Sequence, residues 1–97
     1  MPKIEIKKST KEHKKMMAIL TYDDGRTKTV HFGAEGYEDY TTSKDKEQRS
    51  RYLLRHKKNE NWDVPDTAAS LSKHILWGPT TSRQENIRLF KKRFNLK

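Results

Sequence analysis

The order of signals along the chain predicts an α+β fold: a small N-terminal antiparallel β-hairpin or three-stranded sheet followed by three short α-helices. Two observations carry this. An Asp-Gly pair at Asp24 and Gly25 separates two segments rich in β-branched and apolar residues, and every helix-capping or helix-stopping signal lies after residue 41.

The hairpin comprises Met16 to Tyr22 and Arg26 to Phe32. With Asp24 and Gly25 as a two-residue type I′ loop, Ile19 falls opposite Val30 and Met17 opposite Phe32, placing those four side chains on one face. Ala18, Leu20 and Tyr22 then share the other face with Thr27, Thr29 and His31. Lys3 to Lys7 alternates lysine with Ile4, Glu5 and Ile6, which suits a third strand whose lysines discourage further pairing. Residues 1–15 therefore read as a flexible basic arm or an edge strand of a single domain spanning 1–97.

Gly33 ends the second hairpin strand in this reading, and Gly36 allows a turn. Thr42 or Ser43 then caps a helix from Lys44 to Lys58, with Asp45 and Glu47 in its first turn and Arg55, Lys57 and Lys58 at its end, the order the helix dipole favours. Tyr52, Leu53, Leu54 and His56 supply one narrow packing stripe. Asp66 or Thr67 opens a second helix through Ala68, Ala69, Leu71, Ile75 and Leu76, which Gly78 and Pro79 stop. Ser82 and Glu85 form a capping-box pattern for a third, with Ile87, Phe90 and Phe94 on one face and Arg88, Lys91 and Lys92 on the other.

Composition narrows the functions. The 97 residues are 31% hydrophobic and 36% charged, with a net charge of +9, so the core is thin and self-repulsion opposes compaction. The absence of cysteine rules out disulfides and thiolate zinc sites. Met16 to Leu20 is the longest apolar run, far short of a membrane span, and the lysine-rich start lacks a signal-peptide apolar region. Basic blocks at 1–15, 43–58 and 82–97 alternate with mildly acidic ones. Each alone reads as a solvated face, but their recurrence points to an acidic partner.

No constellation for catalysis emerges. His13, His31, His56 and His74 show no pair at three- or four-residue spacing, so no metal site is expected. His56, Asn61 and His74 match the residue types of a small histidine and asparagine nuclease, but the order of elements is wrong for one. Gly33 and Gly36 lack the spacing and the Lys-Ser or Lys-Thr pair of a nucleotide-binding loop. The chain reads as non-enzymatic, with no cofactor and no small-molecule substrate. Its expected partner contacts are Lys44, Arg49, Arg51, Arg55, Lys57 and Lys58 on one helix, Arg88, Lys91 and Lys92 on another, and the loop rings Tyr37 and Tyr40. Trp62 and Trp77 read as packing residues, while Tyr37 and Tyr40 are divided evenly between core and contact.

Three pieces of sequence, KTVHFGAEGYEDYT at Lys28 to Thr41, RSRYLLRHKKNENW at Arg49 to Trp62 and TAASLSKHILWG at Thr67 to Gly78, together resemble a family of short basic proteins of uncharacterised function from large nucleocytoplasmic DNA viruses of algae and amoebae. Ser70 and Leu71 stand where relatives tend to carry bulkier aromatics. The resemblance brings no catalytic residue with it. It implies a viral protein carried in the virion, present in the host cytoplasm or nucleus during assembly. Two functions are then expected in order: a minor capsid component bridging larger viral capsid proteins, or a protein that contacts the phosphate backbone of viral DNA through its basic helices.

Overall fold

A computed structural model describes residues 1–97. Three strands, β1 (Lys3–Lys8), β2 (Lys14–Thr21) and β3 (Thr27–Ala34), form an antiparallel sheet in the order β1-β2-β3. The helices α1 (Tyr40–Ser43), α2 (Lys46–Lys57) and α3 (Ala68–Leu71) follow; α3 runs on into a π-helical segment, Ser72–Leu76, before α4 (Arg83–Arg93). The α+β arrangement expected from the order of signals is the observed one. No helix is long and apolar enough to cross a membrane.

The hairpin register differs from the expected one by one residue. Ile19 pairs with Thr29 and Ala18 with Val30, while Met16, not Met17, lies opposite Phe32. Asp23 belongs to the loop as well: Tyr22 N–H donates to Arg26 O, Gly25 N–H donates to Tyr22 O, and Gly25 takes φ +88. This is the three-residue connection that ends in a left-handed glycine, and its extra residue reverses the faces of β2 relative to β3. Ala18 and Leu20, assigned above to the mixed face, are buried with Phe32, whereas Ile19 is only half-buried. β1 settles the choice, because Ile4 pairs with Leu20 and Ile6 with Ala18. All four side chains can then meet the helices.

β1 is an edge strand, and its outer side is partly covered. Ile4 N–H donates to Lys97 O at 2.9 Å, and Lys97 N–H donates to Pro2 O at 2.9 Å. Asn95, at φ 53, makes the left-handed turn that ends α4, and Leu96 N–H donates to Lys91 O as in a Schellman cap. The buried Leu96 thus brings the end of the chain to its beginning.

Gly33 does not end β3, which continues to Ala34. A Cβ there would lie 2.6 Å from Leu76 Cδ1, so the bare backbone is what lets the π segment rest on the strand. Its φ of +80 also suits glycine. The core joins Ile4, Ala18, Leu20 and Phe32 of the sheet to Leu71, Ile75, Leu76, Trp77 and Phe90 above it. Each buried isoleucine, leucine or phenylalanine among them contributes about 1.5–3 kcal/mol of transfer free energy.

The helix expected from Lys44 to Lys58 is α2, which starts two residues later, and the separate short helix α1 precedes it. Lys44 sits in the left-handed region at φ 56 and interrupts the run, so Asp45 caps α2, accepting from the backbone N–H groups of Glu47 and Gln48 at 3.0 and 3.2 Å. Asp39 caps α1 instead of any residue named above. Ser43, proposed as a cap, donates its hydroxyl to Gln48 Oε1 at 2.6 Å. Thr67 does cap α3, and Ser82 caps α4 by accepting from Glu85 N–H at 3.2 Å. The reciprocal half of the Ser82 capping box is missing, because the Glu85 carboxylate is held by Arg88.

His74 lies in the π segment, buried against Phe90 and Phe94, with Nε2 at 2.8 Å from Trp62 O. Burial lowers its pKa from the usual 6.5; the bond to Trp62 opposes this, and the charges of Lys73 and Arg93 add to it. The neutral ring is therefore the folded form. Its contribution to stability is complete above about pH 6.5 and is lost as pH falls through the lower folded-state value. Urea unfolding midpoints should drop between pH 7 and 5 in the native chain. The drop should be smaller in His74→Gln, which keeps a donor for Trp62 O.

Candidate interaction face

Helix α2 buries no residue. A line of contacts along one side holds it. Arg49 Nε–H donates to Trp77 O at 3.1 Å and Gly78 O at 2.8 Å, Tyr52 stacks on Trp77 at 4.2 Å and 6°, and His56 stacks on Tyr52 at 4.1 Å. Burial, followed by the nearby Glu60 carboxylate, pushes the Tyr52 hydroxyl up to about 12. Beyond the stack, Glu60 accepts from the Trp62 indole at 2.9 Å and bonds His56 Nδ1 at 2.6 Å, fastening the end of α2 to the following loop.

With residues 49, 52 and 56 turned inward, residues 51, 54, 55 and 58 share the outer side of the helix at spacings of three and four. That side is a ridge of Arg51, Arg55 and Lys58 with Leu54 at its middle, 71% exposed. Leu54 was expected in the packing stripe; the inward stack is instead made by rings and an arginine, leaving no neighbour to cover it. The spacing of Arg51, Leu54, Arg55 and Lys58 carried this signal once the inward side was known.

The expected contact residues separate into groups. Lys44, Arg55, Lys57 and Lys58 are exposed and have no acid within 4.0 Å, and Arg51 reaches Glu47 only at 4.0 Å. On α4, Lys92 is exposed and free of acid partners, Lys91 is half-buried and also unpaired, and Arg88 is tied to Glu85. Two residues are corrected. Tyr40 is a core residue with the Arg49 guanidinium 5.6 Å from its ring centre, and Arg49 itself spends its Nε–H on the backbone that ends the π segment. Tyr37 is 75% exposed, at the turn made by Gly36.

These features define the class: a small α+β domain in which a three-stranded sheet under a short helical layer holds out one almost detached cationic helix. A family of unknown function, DUF5754, matches residues 4–56, from β1 nearly to the end of α2, and the chain belongs to it. The uncharacterized protein L851 of Acanthamoeba polyphaga mimivirus is 34% identical over 83 residues, covering 79% of this chain and 83% of that protein. The family thus occurs in a giant virus that infects amoebae. No solved structure matches the chain.

Proposed function

We propose that this protein is a non-catalytic structural component of a virion, a minor capsid protein that bridges larger capsid subunits by laying the outer side of α2 against an acidic surface with an apolar pocket. The observation that carries this is Leu54, exposed at the centre of Arg51, Arg55 and Lys58. An apolar side chain ringed by cations is the anatomy of a protein contact, with an anchor inside a polar rim. A phosphate backbone is met by cations and hydrogen-bond donors and gives an exposed leucine no pocket to fill. The viral relative supports a viral origin; the setting we propose is the virion and, during assembly, the host cytoplasm or nucleus.

Leu54→Ser should lower the amount of protein retained in purified, nuclease-treated particles by about fivefold or more, the loss typical of an interface anchor. The unfolding midpoint should change little, because the side chain is mostly exposed and only the small difference in helix propensity remains. Fixed stoichiometry of the native chain in such particles is expected, and its absence from them would refute the reading.

The unpaired cations at Lys57, Lys58, Lys91 and Lys92 favour a second reading, a protein that binds the phosphate backbone of DNA. Under it, DNA retardation at low salt would weaken steeply with added salt, and replacing Arg51, Arg55 and Lys58 together would flatten that slope. Retention of Leu54→Ser at native levels, combined with such a slope, would favour this second reading over the first.

A further inference from the structure

Away from the ridge, three cations from three different elements surround one concavity. Arg49 of α2, Lys73 of the π segment and Arg93 of α4 line a crevice of about 310 Å³ whose floor includes Phe90 and Pro79. We propose that this crevice binds a dianionic phosphate group, either free phosphate or a phosphate monoester.

Each cation is held in place by a contact that leaves part of its charge unanswered. Arg49 is anchored through Nε–H to the carbonyls of Trp77 and Gly78. Lys73 is half-buried, with Nζ 5.1 Å from the centre of the Trp62 ring and no acid within 4.0 Å. Burial lowers the pKa of the Lys73 ammonium, and the charges of Arg93 and Arg49 lower it further against the opposing charge of Asp63, so both arginines repel the lysine. Arg93 meets Asp63 at 3.0 Å, an exposed pair of little strength.

Two neutral polar groups at the crevice are bonded to backbone. Neutral His74 is bonded to Trp62 O, and Asn86 uses both ends of its amide on Ile75 and Thr80. Three cations less the one charge of Asp63 leave two positive charges around a crevice with room for a phosphate monoester. Like charges fixed around one hollow destabilise the free protein, and a dianion removes that repulsion while accepting charge-assisted hydrogen bonds from the arginines and the lysine.

The test is a titration of the full chain with inorganic phosphate, at constant ionic strength set by chloride, followed by NMR of backbone amides and arginine Nε–H groups. Saturable shifts centred on Arg49, Lys73 and Arg93 are expected. Lys73→Gln should weaken binding by about tenfold. Lys73→Arg should retain it, and Arg88→Gln with Lys92→Gln should leave it unchanged. Adenosine 5′-monophosphate should compete with phosphate, whereas a dinucleotide carrying only a phosphodiester should not. Shifts spread over all the lysines without saturation, equal affinity in folded Lys73→Gln, or equal competition by the diester would each overturn the proposal. Loss of the ridge residues, including Leu54, should leave phosphate binding intact, which keeps this site separable from the capsid reading.

Discussion

Asp39→Ala is expected to destabilise the protein by about 3–5 kcal/mol, the loss seen when one member of a buried ion pair is removed. The Asp39 carboxylate is buried and joins three parts of the chain. Its Oδ2 accepts from Lys15 Nζ of β2 at 2.6 Å and from Arg83 Nη2 of α4 at 3.2 Å, while Oδ1 accepts from the backbone N–H and the hydroxyl of Thr41 in α1. The Lys15 side chain is only 13% exposed, so without Asp39 it becomes a largely desolvated charge with no partner. Total stability for a domain of this kind is about 5–15 kcal/mol, and the thin core places this chain toward the lower end. Urea unfolding should show the shift, and Lys15→Met in the Asp39→Ala background should recover part of it.

The same carboxylate has a pH signature. Burial raises its pKa, but the Lys15 and Thr41 hydrogen bonds and the charges of Lys15 and Arg83 outweigh that and hold it below the ordinary 3.8. Its stabilisation is therefore present above about pH 3.8 and disappears as pH falls through the folded-state value. Acid should destabilise the native chain in two stages, His74 first and Asp39 below it. Asp39→Asn should shrink the second stage and leave the first, with Asp66, whose carboxyl Tyr22 and Lys28 also hold below 3.8, carrying part of the remainder.

Asn86→Leu should be comparably damaging, about 3 kcal/mol or more. The buried Asn86 side chain donates to Ile75 O and Thr80 O, each at 2.9 Å, and accepts from Thr80 N–H at 3.2 Å and Thr80 Oγ1 at 2.8 Å. Leucine has the volume but none of these bonds, and each stranded backbone group costs about 1–3 kcal/mol. At about 4–8 °C per kcal/mol for a domain this size, the thermal midpoint should fall by about 12 °C or more. Gly78→Ala attacks the same corner by another route, since the added Cβ would lie 2.2 Å from His74 O and 2.8 Å from Asn86 Cγ. That shift would also displace the Trp77 and Gly78 carbonyls that anchor Arg49, so α2 should loosen with it. Circular dichroism melts of both variants check these outcomes, and a midpoint near that of the native chain in either would show that the corner tolerates rearrangement.

Much of the fold was legible because its signals are local. The Asp-Gly loop, the lysine-flanked isoleucines of β1, the Thr67 and Ser82 caps and the Phe90 spacing all act within a few residues. Misreadings occurred where a distant partner decided. The hairpin slipped by one residue because Ile4 and Ile6 needed Ala18 and Leu20 on the helix-facing side, and that demand arises only when β1 pairs. Tyr40 went to the core and Leu54 to the surface for a related reason. Residues 40–58 are two helices joined through Lys44, and Trp77, far along the chain, sets which side of the second turns inward.

The interaction face shows the same division. Charge density on residues 44–58 was visible from the start, since counting lysines and arginines requires no geometry. Which of those cations are free was not, because Arg49 differs from Arg55 only in what lies across from it. The crevice of Arg49, Lys73 and Arg93 joins residues separated by more than forty positions, and no spacing rule links them. By itself, then, the sequence determined the element types, their order and the excess of positive charge, all set by local backbone preference and composition. Only the tertiary structure decided register, burial and the convergence of charges, because these depend on which surfaces pack together, and packing free energy belongs to pairs of elements rather than to any one of them.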